Sequence, residues 1–498
     1  MFSWKSLFIP GILLLSSCSG KNILSDTMPT NTIPIIFPGD YPDPSILKDG
    51  KDYYLTHSSF EHYPGLLIWH SRDLKHWKPV VRALTKYAGS VYAPDLIKFQ
   101  GKYYIYFPGV TPENGWKVYV ITAGNIEGPW SEPVLVGDFW AIDPGFITDE
   151  NGNPFLHLND GRVVELSDDG LSAIGEVQKT YEGWPIPEEY GIEGFCLESP
   201  KLLFKDGFYY LTSAEGGTAG PSTSHAVVSA RSKTPTGPWE NSPYNPVIHT
   251  WNSTEPWMSK GHGTLFEGPD ERWYVVYHAY ERGYYTLGRQ TLIEPVTWTN
   301  DGWFKRAIAD TFNLRYEKID NTTISSDDFS APALNLQWTF FGNSSYQSAS
   351  LENGALTLRS EEKEMSVMHC FIPDHNYSAQ AEISPEPGVE AAIGAFYNKS
   401  YFVGIALKDG KVYTTRNGTK GLEIEAPDVK FLKMEMENHD LKFQYSSDGI
   451  NWEHHPYAYE VSSYNHNAIG EFLALKAAIW CIGPGKTRID NFSYTPKP

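Results

Sequence analysis

Five polar residues recur at the head of a short hydrophobic run: Asp43 in DYPDPSILKDGKDYYLTHSS, Asp95 in APDLIKFQGKYYIYF, Asp143 in AIDPGFITDENGNPFLHL, Glu198 in LESPKLLFKDGFYYLTSAEGG and His262 in KGHGTLFEGPDERWYVVYHAY. Carboxyl groups in unlike surroundings can divide acid and base work, one held neutral to donate a proton and one held ionised to take a proton from water. A third carboxylate close by raises its neighbours' pKa by repulsion. Taken singly, an Asp beside a Pro is ordinary turn chemistry. The repetition is what points to function.

The five positions are separated by 52, 48, 55 and 64 residues. Each is followed by a strand, a turn containing Gly or Asp, and a second, aromatic-rich strand, with the NGNPFLHL copy the weakest. Hairpin repeats near 40 to 50 residues are the signature of propeller blades, each a four-stranded sheet whose first strand lines the central channel. The expected fold is therefore all-β, a five-bladed β-propeller that gathers Asp43, Asp95, Asp143, Glu198 and His262 at one end of one channel. Such a gathering costs repulsion and desolvation, which disfavours a purely structural role.

The rest of the chain agrees with this frame. Of 498 residues, 14% are aromatic and 20% charged, with 43 Gly and 35 Pro, a turn-rich composition. A net charge of −20 excludes nucleic acid as a natural partner. The repeat stops after Ala307, and Leu334 to Pro498 shows short alternating strands such as ALTLRS and YFVGIALKDGKVYTTR, which read as a β-sandwich. At the start, MFSWK, SLFIPGILLL and SSCSG read as a secretion signal, and Leu15-Ser16-Ser17-Cys18 resembles a bacterial lipobox. The expected layout is a lipoprotein signal peptide over 1–18, a tether over 19–34, the propeller over 35–315 and the sandwich over 325–498. The membrane would be met only through a lipid anchor at Cys18, in the periplasm or at the cell surface of a bacterium. Cys196 is expected to be a small buried residue, and a Cys370–Cys481 bridge stays open.

The run of YPDPS, WAIDPGF, ESPKLLFKDGFYYLTSAEGG, GHGTLFEG and GRQTLIEPVTW resembles glycoside hydrolase family 43 over residues 35 to 310, and the C-terminal part resembles the concanavalin-like, jelly-roll domain of its β-xylosidase-type members. The resemblance implies an inverting exo-enzyme that releases xylose or arabinose from plant cell-wall oligosaccharides. AEGGT and YYTLGRQTLIEPVTW place β-D-xylosidase ahead of α-L-arabinofuranosidase or arabinanase. It further implies Asp43 as general base, Asp143 as the group that tunes and orients the acid, Glu198 as general acid and Arg289 as a sugar ligand. His262 would meet a calcium ion in the channel, with no organic cofactor. Asp95, in YAPDL where the family motif is WAPD-like, is expected to support substrate or structure, and Phe60, Trp140 and Trp257 are candidate sugar platforms. The NDPNG and RDP strings of invertase-like propellers are absent. A propeller that only binds glycans is disfavoured because all three acids are retained.

Overall fold

A computed structural model describes residues 31–218, 224–308, 313–321 and 324–498. Cys18 and the expected signal and tether up to residue 30 lie outside the described residues. Blade one is the antiparallel sheet Ser45–Asp49, Asp52–Thr56, Gly65–Ser71 and Lys78–Leu84, and blades two, three and four open with Asp95–Phe99, Gly145–Thr148 and Glu198–Lys205. The first hairpins are set by their turns. Between Phe99 and Lys102, Gln100 and Gly101 have φ of 48° and 78°, and between Lys205 and Phe208, Asp206 and Gly207 have φ of 50° and 76°. Positive φ at both turn residues matches the right-handed twist of the flanking strands, which is why QG and DG occupy these places.

Blade five, Trp257–Glu267, Trp273–Glu281 and Arg289–Trp298, takes a strand from the other end of the chain. Thr32–Phe37 pairs antiparallel with Arg289–Trp298 and parallel with Arg315–Lys318. This closes the ring, and the five innermost strands touch their neighbours around the channel.

The C-terminal domain is two stacked sheets. Asn376–Pro385 alternates cleanly, with Tyr377, Ala379, Ala381 and Ile383 turned into the core. Glu390–Asn398 is buried on both faces, because Trp480 covers its outer side so closely that a Cβ on Gly394 or Gly404 would meet the indole at 2.8 or 2.2 Å. One sheet crosses the domain boundary: the propeller segment His62–Tyr63 pairs with Thr339–Phe341. Phe60 and Leu287 of the propeller belong to the sandwich core, and the Leu475 N–H donates to the Thr286 carbonyl at 2.9 Å.

Cys370 and Cys481 are both free and buried. Cys370 faces Ala477 across the ladder while Cys481 faces Ser366, which puts them about 13 Å apart along the strands, too far for a bridge. Cys196, expected inside, is exposed, since it stands on the wall of a pocket while its neighbour Leu197 takes the buried position.

Candidate active site

The strand heads share an unusual backbone. Asp43, Asp143, Ser199 and His262 have φ of 57°, 54°, 55° and 58°, and the first three each precede a proline. Proline pushes its predecessor toward extended φ, so a left-handed residue there is strained by about 1 to 3 kcal/mol and persists only where its surroundings dictate it. Asp43, Asp143 and His262 among them line one pocket at the channel.

Asp43 is buried and surrounded by donors. Arg289 Nη1 and Nη2 donate to its two carboxylate oxygens at 2.9 and 3.4 Å, Ser58 Oγ donates to Oδ2 at 2.5 Å, and the Nδ1 atoms of His278 and His262 lie 3.0 and 3.4 Å from Oδ1. Burial would raise its pKa, but Arg289, His262 and His278 together hold it well below the usual carboxylate range. The two other acids go the opposite way. Burial and then the charge on Asp43 push Asp143 up to about 7, although its carboxylate accepts the Ser199 N–H at 3.0 Å. Burial, Asp143 and Asp43 push Glu198 well above its ordinary value. Asp143, Glu198 and His262 present atoms within 4.8 Å of one another. One pocket thus holds a fixed carboxylate and a neighbouring pair that retains a proton near neutrality, the division that acid–base hydrolysis requires.

The pocket has a volume of about 220 Å³ and is lined by Asp43, Asp143, Glu198, His262, Arg289 and Phe472. Phe472 comes from the sandwich. Its φ is 53°, its ring lies 5.2 Å from the Arg289 guanidinium, and His466 stacks on it at 3.9 Å while Nδ1 of His466 accepts its N–H at 2.9 Å. Tyr92 and Trp116, with ring centroids 4.7 Å apart, form another wall.

Five of the sequence-derived site residues therefore meet: Asp43, Asp143, Glu198, His262 and Arg289. Four do not line the pocket. Asp95 is buried in an ion pair with Lys201 at 3.0 Å and accepts the Phe146 N–H at 2.8 Å, so it ties inner strands together. Phe60 is 1% exposed and lies beneath Arg289, 5.8 Å from the guanidinium. Trp257 is 4% exposed and packs against Tyr316 in the fifth blade. Trp140 lies outside the pocket lining and is half exposed. Alignment of strand heads missed His278, which enters from a second strand, and Phe472, whose loop belongs to no repeat.

The donor set does not suit calcium, which takes six to eight oxygen ligands. His262 Nε2 is buried without a protein partner. Around it stand imidazoles with Asp43, already engaged by Arg289, or two carboxyls that favour their protonated forms.

Residues 32–304 match the family described as glycosyl hydrolases family 43, and residues 326–495 match the beta xylosidase C-terminal concanavalin A-like domain. The chain belongs to family 43. It is 34% identical to a non-reducing end alpha-L-arabinofuranosidase of Bacteroides ovatus over 65% of this chain and 64% of that one. It is 30% identical to a xylan 1,3-beta-xylosidase of a Vibrio species over 84% of this chain and 89% of that one. Among solved structures, a family 43 protein of Bacillus licheniformis superposes with a TM-score of 0.81 at 28% identity, covering 93% of this chain and 99% of that one. A xylan beta-1,4-xylosidase of Bacillus halodurans gives 0.81 at 26% identity over 92% and 99%. Family 43 membership accounts for the five blades and for the retained acids together.

Proposed function

We propose that this family 43 chain is an inverting exo-glycosidase that releases terminal pentose from xylo- or arabino-oligosaccharides, with β-D-xylosidase activity foremost. The observation that carries the reading is the split between Asp43 and the Asp143–Glu198 pair within one small pocket. Glu198 protonates the glycosidic oxygen of the leaving group. Asp43 takes a proton from a water, whose oxygen bonds to the anomeric carbon from the other face as the C–O bond to the leaving group breaks. The configuration of the sugar inverts, and each carboxyl exchanges one proton. Asp143 keeps Glu198 protonated and holds the Ser199 N–H next to it. Arg289 fixes Asp43 and offers remaining donors to sugar hydroxyls. Phe472 narrows the mouth, which supports removal of end units over cleavage within a chain.

The names of relatives include both pentoses, so the ratio of kcat/KM on 4-nitrophenyl β-D-xyloside and α-L-arabinofuranoside is the deciding measurement. A ratio above one in favour of xyloside is expected, with the α-anomer of xylose seen first by proton NMR. First release of β-xylose would overturn inversion. The Leu15–Cys18 lipobox supports lipid anchoring at Cys18, and incorporation of labelled palmitate that Cys18→Ala abolishes tests it. Calcium is not required on this reading, and chelation with EDTA is expected to leave kcat unchanged.

A further inference from the structure

Two residues before Ile142 of the pocket wall stands an exposed tryptophan. Trp140 is 49% exposed, and the Arg162 guanidinium lies 5.3 Å from its ring centroid, so one face is braced. Arg162 also donates to the Trp140 carbonyl at 3.0 Å and to Asn159 Oδ1 at 2.5 Å. Asn159 Oδ1 accepts the Ile142 N–H at 3.0 Å, and the Asp160 N–H donates to the Leu197 carbonyl at 2.7 Å. This brace ties Trp140 to the residues immediately before both Asp143 and Glu198. Ile142 lines the pocket, and two residues along the chain limit its Cα to about 7.6 Å from that of Trp140. Phe195, 42% exposed, precedes Cys196 of the pocket wall.

The chemistry gives this wall a direction. A sugar attacked by the water on Asp43 turns its leaving oxygen toward Glu198, so the remainder of the substrate leaves the pocket on the side of Glu198, where the wall residues Ile142 and Cys196 are closely preceded in the chain by Trp140 and Phe195. Large exposed aromatic surface continuous with a pocket marks binding, and an indole face accepts the C–H face of a sugar. We propose that Trp140, held by Arg162, is the platform for a sugar on the leaving-group side, two or more units beyond the scissile bond, so that the preferred substrate is an oligosaccharide longer than a disaccharide and not a small glycoside. The proposal rests on the hydrolase reading above.

The test compares kcat/KM on xylobiose and xylotetraose, and on arabino-oligosaccharides of the same lengths, for the native chain, Trp140→Ala and Trp140→Phe. Xylotetraose binding to Glu198→Gln, with and without Trp140→Ala, is measured by calorimetry alongside. Trp140→Ala is expected to lower kcat/KM on the tetrasaccharide about tenfold more than on the disaccharide, with Trp140→Phe recovering most of the loss. Equal effects on both lengths, with binding indifferent to Trp140, would overturn the platform. Absence of turnover on every substrate, with tetrasaccharide binding still about tenfold weaker without Trp140, would overturn the hydrolase reading and leave the platform standing.

Discussion

Asp43 and Glu198 are both carboxylic acids, and only their neighbours make one a base and the other an acid. The base must be ionised, so activity is lost as pH falls through the depressed pKa of Asp43. The acid must be protonated, so activity is lost as pH rises through the raised pKa of the Asp143–Glu198 pair. A bell-shaped kcat/KM profile with a broad acid side is expected. Asp143→Asn removes a negative neighbour from Glu198, and the alkaline limb is expected to move to lower pH; a limb that stays in place would assign it to another group. Asp95 presents the contrasting case. Its partner Lys201 is 4% exposed, so Asp95→Ala leaves a buried cation short of its counter-ion. A loss of about 3 kcal/mol is expected, at the lower end of the range because carbonyls of Pro94 and Pro144 also hold Lys201 at 2.8 and 3.0 Å. Calorimetry should show a lowered Tm, while kcat of the folded fraction changes little.

At the level of elements, the hairpins were legible because a two-residue turn with left-handed backbone demands residues such as Asp-Gly, and because alternation exposes one face of a strand. The loop that carries Phe472 was not legible. Its shape depends on distant anchors: Asn398 Nδ2 donates to Glu471 at 2.5 Å, and Tyr397 bonds the Gly470 carbonyl while accepting the Leu473 N–H at 3.4 Å. Phe472→Ala is expected to reduce kcat/KM about tenfold with little change in Tm, since the ring is only partly buried and serves the pocket more than the core. His466→Ala should act in the same direction, because it removes both the stacked ring and the acceptor for the Phe472 N–H. Steady-state kinetics and a thermal melt on the two variants check this.

Contacts across the domain boundary join the whole molecule into one unit. The sandwich sheet includes His62–Tyr63, Arg82 of blade one donates to the Leu336 carbonyl at 3.0 and 2.6 Å, and Tyr284 stacks on His375 at 3.5 Å. A single calorimetric transition is expected for the full chain, and a chain ending before residue 326 should lose solubility and activity together, having exposed Phe60 and Leu287 and lost Phe472. Two resolved transitions would show that the domains fold apart.

Repeat spacing, turn residues and strand-head acids are local or periodic, and from them the sequence alone determined the five blades, the β-sandwich and the meeting of Asp43, Asp143 and Glu198. The protonation split, the placement of Asp95, Phe60 and Trp257 in structural roles, the exposure of Cys196, and the entry of Phe472 and His278 were decided by tertiary structure. Burial and charge are set by atoms hundreds of residues away, such as Arg289 against Asp43, and no local pattern encodes which distant groups will pack together.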